Sequence, residues 1–378
     1  MHYRGLTWDH PRGYRALRIA AERFNADPRH SDTLSWEVHP LEGFESAPID
    51  RIIAKYDLVV LDHPHLGDAL SVGALQAVSS LAGRVGAKIE ASDFIGPSVP
   101  SYTVGGQVWA LPLDAAAQVA AYDASRISEV PRTWDEVESL SNHVPVSLGL
   151  AGPHALLTLY ALCAAMGNPA SATGELPEGS AEVALERMQK IASRMRPEWL
   201  DLNPIAIHER ISARADIAYC PLVYGYINYA GSFDQREDGS WPVKFADAPR
   251  MGDGPPGSVI GGTGLAVSRG VEVSSALVEH LIELVGVEAQ CGSIVAEGGQ
   301  PSRTEAWYSE LVDEASGGFC SATRATLESS WIRPRFPGYT AFQLKASNLM
   351  RSVVLGETSI VRGLQDYEEL RARTLRPS

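Results

Sequence analysis

Tyr56-Asp57-Leu58-Val59-Val60-Leu61-Asp62-His63-Pro64-His65 is the stretch on which the fold turns. Four apolar residues follow one another at 58–61 without alternation. Such a run suits a strand covered by helices on both faces, the habit of parallel sheets. It ends on polar Asp62, and Pro64 fixes its own φ while biasing His63 towards an extended shape, so the strand gives way to a turn. The N-terminus repeats the pattern: Leu6-Thr7-Trp8 is a short apolar run, and Asp9-His10-Pro11 closes it. Between the two, Leu17, Ala20, Ala21 and Phe24 recur at helical spacing over 12–25. Leu34, Trp36 and Val38 alternate as a half-buried strand does, and Ile52-Ile53-Ala54 is helix-like. Strands alternating with helices predict an open α/β sheet.

The chain has 378 residues, more than one hydrophobic core usually serves, so two domains are the prior. It is 45% hydrophobic and 21% charged, with a formal net charge of −14. That balance predicts no nucleic-acid partner, because phosphate-backbone affinity needs clustered Lys and Arg. No stretch approaches the roughly 18 apolar residues of a membrane-spanning helix. Met1 to Trp8 lacks the charged, apolar and small-residue order of an export signal, which fits a cytosolic protein or one whose leader has been removed. Cys163, Cys220, Cys291 and Cys320 are scattered, with no CxxC, and are expected as free thiols.

Further along, Val108 to Leu111 reads as a strand closed by Pro112. Thr133-Trp134-Asp135-Glu136 fits a capping box. Helical patterns cover His154–Met166 and Ser180–Met195, the second with Leu185, Met188, Ile191, Ala192 and Met195 on one face, a stripe that reads as core packing. Residues 231–258, rich in Gly, Pro and Asp, read as a surface excursion. After Val259-Ile260 come Gly261-Gly262-Thr263-Gly264 and a helix carrying Leu277, Leu281, Leu284 and Val285 on one side.

Taken in order, several of these segments resemble the family 1 extracellular solute-binding proteins of ABC transporters. Tyr56-Asp57-Leu58-Val59-Val60 is similar to the family's P-D-V-V strand, with Tyr56 where Pro is usual. Tyr102-Thr103-Val104-Gly105-Gly106-Gln107-Val108-Trp109-Ala110-Leu111-Pro112 resembles Y-x-x-G-K-x-Y-G-L-P. Tyr122-Asp123 with Pro131–Val137 resembles Y-N … P-x-T-W-D-E-L. Gly261–Ser268 is similar to G-G-x-G-L-A-I-S, and Gly298–Arg303 to G-G-x-P-x-R. The resemblance implies an α/β, type 2 periplasmic-binding-protein fold: two lobes, each a mixed sheet flanked by helices, joined by crossing segments near Leu113, Ser258 and Ala306. One lobe is expected at 1–113 plus 259–306 and the other at 114–258 plus 307–378, with a ligand cleft between them and hinge closure on the ligand.

Candidate site residues follow from position and chemistry together. Asp9, His10, Asp62, His63 and His65 stand at two equivalent strand ends, which one sheet brings to the same rim. Two readings stay open for them: capping and stiffening of strand-to-helix turns, or contact with a polar ligand. A catalytic role would make His63 or His10 the base and Asp62 or Asp9 its orienting partner. A metal is not expected, since His63-Pro64-His65 has no supporting helical ligand motif. By the positions the resemblance implies, Trp8 and Trp109 offer flat surfaces or core packing, and Asp114 a cleft carboxylate or a turn residue. Tyr219, Tyr224 and Tyr226 form an aromatic-rich loop or pack beneath it. Gly261, Gly262 and Thr263 present backbone amides or simply turn the chain. His154 begins a helix, and Arg303 is a candidate partner for an anion.

The functional expectation is binding of a small polar solute for an ABC-type uptake system, by a monomer without a cofactor, its partner the membrane component of the transporter. The competing expectation is a cytosolic hydrolase, lyase or isomerase on the same scaffold, using the Asp-His pairs; fold alone does not separate the two. The aromatic residues do not gather into the platforms that neutral oligosaccharides favour, so a smaller ligand is expected.

Overall fold

The structure is a computed structural model that describes residues 1–39, 49–231, 236 and 238–376. The chain forms two compact units. The first comprises Met1–Ala115, Gly261–Val312 and Arg335–Pro337, and the second Ala116–Ile260, Asp313–Pro334 and Gly338–Ser378. In chain order the strands are β1 (His2–Trp8), β2 (Thr33–His39), β3 (Leu58–Asp62), β4 (Leu75–Gln76), β5 (Thr103–Val104), β6 (Gln107–Val108), β7 (Ala110–Pro112), β8 (Gln118–Tyr122), β9 (Tyr219–Tyr224), β10 (Lys244–Ala246) and β11 (Thr263–Ser268).

The first unit is built on a mixed sheet in the order β2-β1-β3-β11-β4, with β7 also pairing β11. β1 runs parallel to β2 and β3, whereas β11 runs antiparallel to β3, β4 and β7. Leu58–Leu61 and all six residues of β11 are buried, as an apolar run flanked on both faces requires. The helix Pro11–Asn25 returns the chain beside β1 and buries Leu17, Ala21 and Phe24. The helix Ser275–Leu284 buries Leu277, Leu281 and Leu284.

One strand differs from the sequence reading. Val108 to Leu111 is not continuous: Gly105 and Gly106, with φ of 59° and 74°, turn β5 into β6, and β7 starts afresh at Ala110. Trp109 stands between, its amide donating to the Tyr102 carbonyl.

The second unit holds the antiparallel sheet β10-β8-β9. Its helix His154–Ala165 is apolar all round and buried along its whole length, as expected of a helix with no solvent face. Helix Tyr339–Val354 packs on it and on helix Ile360–Thr374. The capping box at Thr133 and Glu136 is present. Helix Ser180–Ala192 buries Leu185, Met188, Ile191 and Ala192, and Met195 lies half-buried beyond its end. Residues 231–258 are more than a surface excursion. They supply β10, which pairs β8, because the apolar residues Val243, Phe245 and Ala248 are buried there; positions 232–235 and 237 lie outside the described residues. All four cysteines are free thiols. Among the described residues no helix is long and apolar enough to cross a membrane.

Candidate functional site

The sheet register of the first unit gathers one end of its strands into a polar rim. Trp8 ends β1 and Asp62 ends the parallel β3. Thr263, the first residue of the antiparallel β11, sits opposite Asp62, and Gly264 sits opposite Pro112 at the end of β7. Asp9-His10, Asp62, Gly262-Thr263 and Asp114 therefore share one edge of one sheet. The glycines adjoin the two Asp-His turns within the same unit rather than facing them from elsewhere.

At the end of β1, His10 caps the helix Pro11–Asn25. Its Nδ1 accepts from the Arg12 amide at 3.2 Å, and Pro11 occupies the first helical position, where its missing N–H costs nothing. The imidazole stacks on Trp8 with centroids 5.1 Å apart, and the Arg12 guanidinium lies 4.8 Å over the same indole. A Cβ on Gly13 would come within 2.5 Å of that ring. Trp8 is thus buried among its own neighbours, and its surface serves packing. Burial first, and then the Arg12 charge, push the His10 pKa down to about 4, so the ring is neutral at pH 7.

Arg12 and Asp114 form the centre of the rim. Both side chains are nearly buried, and their charged atoms lie 3.8 Å apart. Asp114 Oδ1 accepts from the Thr263 amide at 2.6 Å, while the Leu113 and Asp114 amides donate to the Thr263 carbonyl. Burial raises the Asp114 pKa, against the opposing pull of Arg12 and the Thr263 amide. Arg12 also donates to Gln300 Oε1 at 3.2 Å, and Gln300 Nε2 donates to the Ala115 carbonyl at 2.6 Å. The result is a fixed row of charged and amide groups whose hydrogen bonds are made largely to one another and to the backbone.

The remaining candidates fall elsewhere. His63 and His65 are buried in the 3-10 turn that follows β3, His63 with its edge to the Tyr102 ring at 6.1 Å. The Tyr102 hydroxyl donates to the carbonyls of Leu61 and Gly262, and Gly262 takes φ 91°. Gly261 is buried. Trp109 donates its Nε1–H to the Val104 carbonyl and pins the β5–β6 hairpin. Arg303 pairs with Asp93 and Glu305 at 3.3 Å each and lies over Phe94, so its charge is matched within the fold. In the second unit His154 is buried edge-on to Tyr224, and burial pulls its pKa down to about 4. Tyr219 and Tyr224 are buried in β9, and half-buried Tyr226 packs its ring 5.5 Å from that of His208.

Two polar residues of the rim, Arg12 and Gln300, were not among the sequence candidates. Arg12 directly follows the Asp-His-Pro turn, where a proline-started helix places the next residue back over the strand end. Gln300 lies three residues before Arg303, in the Gly298–Arg303 segment. Among the described residues no group of three or more His, Cys, Asp or Glu is placed to hold a metal ion.

No family model matches the chain, and no curated protein sequence matches it. Solved structures do. An ABC transporter solute-binding protein from Agrobacterium radiobacter K84, in complex with ribitol, is similar with a TM-score of 0.79 at 17% identity, over 99% of this chain and 98% of that one. The maltose-bound MalE3 of T. maritima is similar with a TM-score of 0.79 at 15% identity, over 98% of this chain and 99% of that one. A solute-binding protein from Agrobacterium vitis S4 with bound D-mannitol gives 0.75 at 15%, over 98% and 97%. This chain has the α/β fold of the ABC transporter solute-binding proteins along its whole length.

Proposed function

We propose that the chain is a solute-binding protein for a small polyhydroxylated ligand, serving as a monomer that delivers it to the membrane component of an ABC-type uptake system. The observation that carries this reading is the full-length likeness to proteins holding ribitol, maltose and mannitol. The rim supports it. Arg12, Asp114, Gln300 and the Thr263 backbone make a buried, preorganised polar row, with Asp9, His10 and Asp62 beside it. Such a row suits hydroxyl groups, which both donate and accept.

The state of Trp8 favours a ligand of ribitol or mannitol size over an oligosaccharide. A flat indole serves as a sugar platform only when a face is open, and here His10 and Arg12 lie against it. No specific observation favours the enzyme reading. His10 Nδ1 is engaged as a helix cap, and His63 is buried inside its turn.

Isothermal titration with ribitol, D-mannitol and maltose tests the proposal. A polyol is expected to bind saturably, to raise the melting temperature as a native-state ligand must, and to be recovered chemically unchanged. Arg12→Ala is expected to weaken it at least about tenfold, roughly the 1.4 kcal/mol expected when a ligand loses a charge-assisted hydrogen bond. Turnover of any of the three, or no binding by all of them, would overturn it.

A further inference from the structure

At the other end of the first unit's sheet lies a groove that the rim does not use. β3 runs from Leu58 to Asp62, and β11 runs back from Thr263 to Ser268. At about 3.3 Å per residue the two ends of β3 are about 13 Å apart. Beyond the Leu58 end, Ile53–Asp57, Val72, Ala74 and Ser268–Val271 line an open groove of about 500 Å³.

Its walls are fixed. Gln76 Nε2 donates to the carbonyls of Ser268 and Val271 at 2.9 and 2.7 Å, and Ser268 Oγ donates to the carbonyls of Ile53 and Tyr56. The Arg269 amide donates to Ala74.

Its charge runs against the rest of the molecule. The chain carries a net −14, yet Lys55 and Arg269 both line this groove, and neither forms an ion pair among the described residues. The Arg269 guanidinium lies over the Gly73 turn, where an added Cβ would come within 3.1 Å of it. The acidic lining residue, Asp57, turns its carboxylate to the Arg4 amide at 2.8 Å. Tyr56 donates its hydroxyl to Glu37, which is itself paired with Arg4. Asp57 is thus held by a backbone donor, while Lys55 and Arg269 have no ion-pair partner among the described residues. Two cations on a rigid concave wall in an acidic protein select an anion, because Arg presents a fork of donors and Lys a point charge. Val72 and Ala54, both exposed at the lip, add apolar contact for the body of a small solute.

We propose that this groove is a second ligand site, separate from the polyol rim, that takes a small solute bearing a phosphate or carboxylate group. The test is isothermal titration of the full chain with inorganic phosphate and with citrate, at constant ionic strength set by sodium chloride. Saturable binding of at least one probe is expected. It should fall at least tenfold in Lys55→Gln/Arg269→Gln and in Ala54→Trp, which fills the groove without removing charge. Phosphate alone assigns a phosphate ester, and citrate alone a carboxylate. Asp114→Asn at the rim should leave this binding unchanged, so failure of the groove and failure of the polyol reading are distinguishable. No saturable binding of either probe, or binding that persists in both groove variants with folding intact by circular dichroism, would overturn the proposal.

Discussion

Asp114 is the residue on which the rim depends, since it accepts the Thr263 amide and faces the Arg12 guanidinium. Breaking a buried pair by removing one partner is far more costly than replacing both with apolar groups. Asp114→Ala should therefore lower the stability of the ligand-free protein by about 3 kcal/mol, read from the urea midpoint. The double variant Asp114→Leu/Arg12→Leu should recover much of that loss. A single variant as stable as the parent would contradict the packing described. His154 carries a second prediction. Burial, and then the Arg333 charge, hold its pKa near 4 against the ordinary 6.5, so between those values the unfolded chain binds the proton and the folded chain does not. Stability from this group is complete above pH 6.5 and is lost as pH falls towards 4. His154→Phe should flatten the melting-temperature profile over that window, and an unchanged slope would refute the assignment. At this scale the sequence was only partly legible. Asp9 and Asp62 could be placed at strand ends from local pattern, and Asp114 only through the family resemblance. Arg303 has one counter-ion, Glu305, two residues on, but the other, Asp93, lies 210 residues away and is not legible from local sequence. Arg12 went unremarked for the converse reason: its meaning comes from Asp114 and Gln300, which meet it only in the folded sheet.

Elements whose signals are local were readable, and those defined by distant partners were not. The capping box at Thr133 follows from four residues: the Glu136 amide donates to Thr133 Oγ1, and the Glu136 carboxylate accepts from the Thr133 amide. Thr133→Ala should cost about 1 kcal/mol, whereas Thr133→Ser should cost much less. The break at Trp109 was invisible, because β7 exists to pair with β11, a strand some 150 residues downstream. The segment 231–258 was misread in the same way. Its glycines and prolines suggest a surface loop, yet Gly257 packs where an added Cβ would meet the Ala165 amide at 2.2 Å and the Ala161 carbonyl at 2.3 Å. Glycine is required there by close approach of a chain to a helix backbone. Gly257→Ala should destabilise the protein by roughly 1–3 kcal/mol, the usual cost of overpacking. It should leave helix content by circular dichroism unchanged, since the clash displaces a loop; a neutral effect on thermal unfolding would count against the contact.

For the whole molecule, what matters is that sequence order and spatial order disagree. β11 pairs with β3, β4 and β7, so the strand that joins the other strands of the first sheet arrives only after the entire segment Ala116–Ile260 has been made. Without it, β3 has an open edge of unpaired backbone groups, and β4 and β7 have no sheet partner. Buried backbone groups left unpaired are costly, and an exposed apolar edge strand invites association with other chains. Residues 1–115 expressed alone should therefore fail to unfold cooperatively and should aggregate. The same segment joined by a flexible Gly-Ser linker to residues 261–312 should give a single sigmoidal urea transition, because the second piece restores β11 to its register. The linker adds little cost, since loop-closure entropy grows only slowly with length. A cooperative transition from residues 1–115 alone would mean that β1, β2 and β3 suffice and that β11 is not needed to complete the sheet.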